Sequence, residues 1–208
     1  MAPGNGSLRA RVFAKVWWTV RSARLAPTLV SMVAVLTLTV GGSADGSPPH
    51  MPGIAFASDT PADVRELAAS TWARFTGVFR GRWACVPSVS VAGAWQLGDR
   101  AMYDPDRRLV TIRIPGTAPN LRATLVHEFA HHVDFNCAAQ DRALRRTFLA
   151  AQGFGPGTAW FQGKSWERTP SEQFAETAIA LVLGGDARPA VPVSRRALAA
   201  IRAWAEGR

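Results

Sequence analysis

Five consecutive residues near the middle of the chain form an H-E-x-x-H pattern, His127-Glu128-Phe129-Ala130-His131. In a helix, a spacing of four places both imidazoles on one face about 6 Å apart, so both can bind one tetrahedral zinc ion. Glu128 is offset by about 100° and can lie beside the metal without binding it. There its carboxylate can accept a proton from water that the metal has made acidic. The pattern predicts a Zn²⁺ site with His127 and His131 as ligands and Glu128 as the catalytic base.

A catalytic zinc site usually has a third protein ligand, and the residues alone leave its identity open. The extended pattern H-E-x-x-H-x-x-G-x-x-H is excluded, because positions 134 and 137 hold Asp and Cys, and a zinc-bound Cys137 is a minor alternative. An acid from a later helix remains, with Glu167, Glu172 and Glu176 as the candidates. Residues 169–172 (TPSE) also fit a capping box, which would occupy Glu172 and make Glu176 the ligand.

The adjacent His132 points about 100° away from His131, so it is not a third ligand. We expect it to lie exposed at the surface. The fourth histidine, His50, lies in a segment rich in Gly, Ser and Pro and needs no role.

The stretches HEFAHHVDF and SEQFAETA resemble the gluzincin branch of zinc metallopeptidases, and more particularly the catalytic domain of anthrax lethal factor and its bacterial relatives. That family shares an H-E-[FL]-x-H-x-x-D helix and an E-x-F-A-E helix. The resemblance rests on these two motifs. It implies a zincin-like fold, peptidase activity, Glu172 as the third zinc ligand and Glu176 as a supporting acid behind it.

The resemblance has two further implications. A peptide or protein substrate would pair with an edge strand of the sheet by β-augmentation, for which we expect the strand Leu109–Ile114. Such enzymes often use a Tyr or His to stabilise the oxyanion. The only tyrosine, Tyr103, lies far from both motifs in the sequence, which leaves His132, Arg168 or a backbone N–H as substitutes.

Hydrophobic periodicity predicts the elements that hold these residues. A helical period begins at Thr60-Pro61, a period near two follows at residues 89–91, 102–103 and 109–114, and the rest of the chain is helical. Four later helices are predicted, over residues 117–136, 141–151, 169–183 and 194–206. This order predicts an α+β fold, with a small mixed sheet followed by the H-E-x-x-H helix and further helices.

The N-terminal region has the three parts of a secretory signal. A basic, acid-free segment is followed by the apolar stretch Leu25–Val40 and a small-residue run, with cleavage expected after Ala44. An uncleaved membrane anchor and a buried core helix are the alternatives. We therefore divide the chain into a signal peptide or anchor (1–44), a flexible linker (45–59) and a metallopeptidase-like domain (60–208).

The predicted export affects the expected oxidation state of the two cysteines, Cys85 and Cys137. An even number of cysteines in an exported chain favours one disulfide, and two buried free thiols are the alternative. Neither residue lies in a C-x-x-C pair, which argues against redox catalysis.

Composition excludes several classes of function. The hydrophobic fraction of 48% and the charged fraction of 19% are typical of a globular domain. The net charge is +9, but the first 44 residues carry five basic residues and no acid, and the remaining basic residues are scattered. We therefore expect no nucleic-acid partner, and membrane contact only through an uncleaved N-terminal segment.

These observations predict a secreted zinc peptidase, or one that is membrane-anchored and faces outside. The chief alternative is an exported module in which zinc only holds helices together or supports binding. A second alternative is a membrane-tethered interaction protein that functions through its N-terminal helix.

Overall fold

The computed structural model describes residues 50–208, so the predicted signal peptide and residues 45–49 of the predicted linker lie outside the described residues. The linker prediction is wrong from residue 54 onward. Ile54–Phe56 forms a strand, β1, that pairs in parallel with Val89–Ala94, β2. The indole Nε1 of Trp72 also donates a hydrogen bond to the carbonyl of Pro52 (2.8 Å), which fixes the chain before β1. A three-residue strand is too short to produce a detectable period.

The remaining elements follow the predicted order and confirm the α+β class. Two further strands are β3 (Ala101–Asp104) and β4 (Leu109–Arg113). The helices are α1 (Ala62–Val78), α2 (Ala118–Asn136), α3 (Arg142–Ala151), α4 (Pro170–Leu183) and α5 (Arg195–Ala205). The sequence therefore predicted both ends of α2, α3, α4 and α5 to within about two residues, and the start of α1 equally closely.

The four strands form one mixed sheet in the order β1-β2-β4-β3. Strands β1, β2 and β4 are parallel, and β3 is antiparallel to β4. The prediction that Leu109–Ile114 is an edge strand is therefore wrong, because β4 is paired with a neighbouring strand on each side. Within the described residues, β1 and β3 are the edges. Periodicity shows which face a residue occupies, but not the order of strands across the sheet.

One face of the sheet is buried under α1 and α2. Val91 and Val110 are opposite each other in the register and fully buried, as is Ile112. Above them, Phe129 of α2 contacts Trp72 of α1, with ring centroids 4.8 Å apart. Residues on the opposite face, such as Met102, are half-buried or exposed. The sheet thus supports α2 from one side.

Helix α4 packs against α2, and α3 and α5 pack against α4. Phe174 of α4 is fully buried and contacts Phe148 of α3 and Trp204 of α5. The structure confirms the disulfide between Cys85 and Cys137, which joins the segment after α1 to the residue that directly follows α2. Across residues 50–208, no helix combines the length and apolar character needed to cross a membrane.

Candidate metal centre

The H-E-x-x-H residues lie in the most buried part of α2. Pro119 in the first turn starts the helix without losing a needed N–H donor. All ten residues from 125 to 134 are buried, including the polar His127, Glu128 and His131. Because buried polar groups are costly without partners, these side chains must be satisfied by groups from elsewhere in the fold.

Glu172 of α4 brings its carboxylate to both histidines. Its Oε2 lies 3.0 Å from Nε2 of His127 and 3.4 Å from Nε2 of His131, and the two Nε2 atoms are 3.2 Å apart. Zinc bound tetrahedrally at its usual ligand distances places its ligand atoms about 3.3 Å from one another. The triangle therefore has the dimensions of three corners of a zinc tetrahedron.

The chemistry of these three atoms also fits a cation. All three can accept a hydrogen bond or bind a metal, and at these distances they repel one another unless a positive charge lies among them. Burial alone would lower the pKa of His127, but Glu172 and Glu176 outweigh it and raise the pKa to about 10. Burial would raise the pKa of Glu172, but hydrogen bonds with His127 and His131 hold it well below its usual range. The site thus favours a bound positive charge.

Glu176 contacts the other nitrogen of His127. Its Oε1 lies 3.0 Å from Nδ1, and its Oε2 accepts a hydrogen bond from the amide of Ala190. A carboxylate only accepts, so Nδ1 of His127 carries a proton, and in a zinc-bound site the ring would be neutral with the lone pair of Nε2 facing the triangle. Glu176 therefore holds the ring of His127 from the side opposite to the candidate metal site.

The capping-box alternative for Glu172 is not observed. Thr169 precedes the first residue of α4, but no side chain caps that terminus, and the Thr169 hydroxyl donates to the carbonyl of Ser165 (2.9 Å). Glu167 lies exposed on a preceding turn. Of the three candidate acids, Glu172 is the one that the structure groups with both histidines as a candidate metal site.

Glu128 is the remaining carboxylate of the site and is 7% exposed. Burial raises its pKa, while the neighbouring His131 and His127 oppose the shift. A raised pKa makes a carboxylate a stronger proton acceptor, which suits a general base.

His132 is fully buried, so the prediction of surface exposure is wrong. Its Nε2 donates to the carbonyl of Pro87 (3.0 Å), and its Nδ1 lies 2.9 Å from the hydroxyl of Tyr103. Burial lowers the pKa of His132 to about 4, so the ring is neutral. With both nitrogens occupied, His132 cannot stabilise an oxyanion. Tyr103 is brought next to α2 despite its distance in sequence, since β3 lies alongside the helix.

Sequence reasoning gave no role to two groups around the site. The indole of Trp166 stacks on the imidazole of His127, with ring centroids 5.9 Å apart, and is 40% exposed. Behind the site, Asp134 accepts hydrogen bonds from Nε1 of Trp160 and from Arg145, both at 2.7 Å. The motif spacing contained Asp134, but nothing in the sequence indicated which loop would supply its donors.

Comparisons of the chain with protein-family models, with curated proteins and with solved structures gave no match.

Proposed function

We propose that this protein is an exported zinc-dependent peptidase with a zincin-like fold. The observation that carries the proposal is the triangle of His127 Nε2, His131 Nε2 and Glu172 Oε2, with edges of 3.0–3.4 Å and with Glu128 buried on the same helix. His₂Glu is a ligand set of catalytic zinc sites, which leave one position open for water or substrate.

Each side chain of the site has a distinct task in this proposal. His127, His131 and Glu172 would hold the metal, and Glu176 would fix the orientation and tautomer of His127. When bound, zinc supplies a Lewis acid that polarises a carbonyl and makes water acidic near neutral pH. A carboxylate oxygen of Glu128 takes a proton from the attacking water and returns it to the nitrogen of the leaving amine.

The substrate would be a peptide in extended form. The free side of β3 offers backbone N–H and C=O groups, which an extended peptide can pair with. This replaces the role that the sequence suggested for β4, whose two sides are occupied. Of the oxyanion candidates, Arg168 and backbone N–H groups remain. Arg168 belongs to the same short turn as Trp166, which stacks on His127.

Export is supported by the signal-like N-terminal sequence together with the disulfide, since disulfides persist mainly in oxidising compartments. Fractionation of cells that express the full chain would test it. A cleaved protein in the medium is expected, and full-length protein in the membrane fraction would favour the anchor.

The function is tested by metal content and cleavage together. Protein purified without chelator should contain about one zinc per chain and cleave members of a peptide library, and chelation should stop the cleavage. Glu128→Gln should retain zinc and fold but lose about 10²–10⁴-fold in rate, since an amide cannot accept the proton. Folded protein that binds no zinc would contradict the metal site. Zinc-loaded protein that cleaves no peptide would favour a structural or binding module.

A further inference from the structure

A solvent-exposed aromatic surface continues from the metal centre along α2. Phe135 follows His127 and His131 at the same spacing of four, so it lies on the same side of the helix one turn further on. After ten buried residues, Phe135 is 41% exposed. A large exposed aromatic side chain directly beside a candidate site is the kind of residue that binding surfaces use.

Two aromatic rings from other parts of the chain extend this surface. Phe161, 47% exposed, stacks on Phe135 with ring centroids 4.9 Å apart. Tyr103 of β3 lies on the other side of Phe135, at 5.9 Å. We call Tyr103, Phe135 and Phe161 the aromatic shelf.

The aromatic shelf is held in place from below. The guanidinium of Arg145 lies 5.3 Å from the ring of Phe161 and 5.0 Å from that of Trp160, and it is ion-paired with Asp134 at 2.7 Å. Trp160, the residue before Phe161, is buried and bonded to the same carboxylate. Because these contacts fix the rings in advance, a ligand binding to them loses little conformational freedom of the protein.

Strand β3 lies alongside α2 where the metal centre adjoins the aromatic shelf. Tyr103 of β3 contacts His132, the residue after His131, and Phe135, which lies nearly one turn further on. A peptide paired with the free side of β3 therefore passes along α2 between the metal centre and the shelf.

The spacing along α2 gives the position of the peptide residue that reaches the shelf. Phe135 lies about 6 Å along the helix axis beyond His131, because each residue advances about 1.5 Å. An extended peptide advances about 3.3 Å per residue, and its alternate side chains point the same way. The two distances match for a residue about two positions from the bond at the metal.

We propose that the aromatic shelf is a substrate subsite that binds a bulky apolar side chain, such as Phe, Leu or Met, about two residues from the cleaved bond. This proposal rests on the proposed peptidase function and deepens it by naming the substrate class. Phe135 and Phe161 determine specificity and take no part in the chemical step.

The first test is the cleavage profile of a peptide library with Phe135→Ala and Phe161→Ala. The wild type should prefer a bulky apolar residue at one position near two residues from the cut. Both variants should lose that preference, with about a tenfold fall in kcat/KM through a higher KM and a nearly unchanged kcat. Phe161→Leu should recover part of it.

Met102→Ala is the matched control. Met102 is 53% exposed on the same strand as Tyr103, but strand alternation places it on the opposite face. Removal of the Met102 side chain should leave the cleavage profile of the peptide library unchanged. Melting temperatures of all variants identify any loss of folding.

A second measurement does not depend on catalysis. In the Glu128→Gln background, N-acetyl-phenylalaninamide should shift the backbone NMR signals of residues 135 and 161, and N-acetyl-glycinamide should not. If no peptide is cleaved but these shifts occur, the peptidase function fails and the shelf remains an apolar binding surface. Cleavage with a profile that both alanine variants leave unchanged overturns the shelf. A wild-type dimer that Phe135→Ala converts to monomer, with no change in profile, also overturns it.

Discussion

Glu172 and Glu176 lie one turn apart on α4, yet their carboxylates meet opposite nitrogens of His127. Residues four apart on a helix present side chains on one face at different depths along the axis. Glu172, nearer the start of α4, reaches Nε2 and the second histidine. Glu176 reaches Nδ1 and is more deeply buried. The geometry thus separates the candidate ligand Glu172 from Glu176, which lies on the other side of the His127 ring.

Glutamine substitutions test this separation at the level of single residues. Glu172→Gln should lose most of its zinc and all measurable cleavage, because a neutral amide is a poor zinc ligand. Glu176→Gln should keep zinc and lose about 10–100-fold in affinity or rate. Zinc content by elemental analysis and peptide cleavage are the two readouts. Full zinc in Glu172→Gln, with zinc lost in Glu176→Gln, would transfer the ligand role to Glu176.

Asp141, just before α3, gives the folded state a specific pH dependence. Its side chain is fully buried, and among the described residues neither carboxyl oxygen has a hydrogen-bond partner. Burial, followed by the charge of Asp134, raises its pKa to about 8, and Arg145 and Arg82 oppose the shift only in part. The folded state therefore keeps a proton that the unfolded state has lost above about pH 4.

The sign of the effect follows from linkage. The stability contributed by Asp141 is fully present below the unfolded pKa near 4 and falls as pH rises towards 8. Asp141→Asn removes this loss, so it should raise the free energy of unfolding at pH 8 by about 1–3 kcal/mol, the usual cost of an unsatisfied buried polar group. Urea denaturation of both proteins at pH 4.5 and pH 8 measures it. A variant whose advantage is equal at both pH values would show that the pKa of Asp141 is not raised.

At the level of elements, periodicity predicted the helices well because each carries an apolar stripe over several turns. The strands were harder. The alternation of Val110, Ile112 and Ile114 correctly gave their buried face, but it carried no information on the neighbours of β4. The strand β1 was missed because three residues produce no period.

The site shows the same limits. The spacing of His127, Glu128 and His131 is local and could be read directly. The proximity of Tyr103 to His132 and the stacking of Trp166 on His127 depend on how distant segments fold together. No pattern within one element contains that information.

The disulfide fixes the end of the helix that carries both candidate metal-binding histidines. Cys137 directly follows α2, and Cys85 lies two residues before Pro87, whose carbonyl accepts a hydrogen bond from His132. A Cys85→Ser/Cys137→Ser variant should lose about 2–5 kcal/mol of stability. The reason is that the disulfide closes a loop of 52 residues and so restricts the unfolded chain.

Urea denaturation of this double variant and of the wild type measures the difference. The native protein should also be about two mass units lighter than its reduced form. Reduced wild type should match the double variant in stability. Two titratable thiols per native chain would contradict the disulfide.

For the whole molecule, the metal would join parts that the chain connects only through a long segment. His127 and His131 belong to α2, and Glu172 belongs to α4, which packs against α3 and α5. Without zinc, the pKa of about 10 means that His127 holds a proton at neutral pH and partly satisfies Glu172 and Glu176. The fold should therefore survive metal removal, but with lower stability.

Thermal unfolding with and without zinc tests this last expectation. A ligand that binds only the folded state at about 1,000 times its Kd adds about 4 kcal/mol, which corresponds to about 10 °C in Tm for a domain of this size. The wild type and Glu128→Gln should show the same shift, because Glu128 is not a ligand. Glu172→Gln should show little shift, because the third donor is missing. Since protons compete for His127, the zinc-dependent shift should also shrink as the pH is lowered. An identical Tm for wild type with and without zinc would mean that the triangle of His127, His131 and Glu172 does not bind the metal in the folded protein.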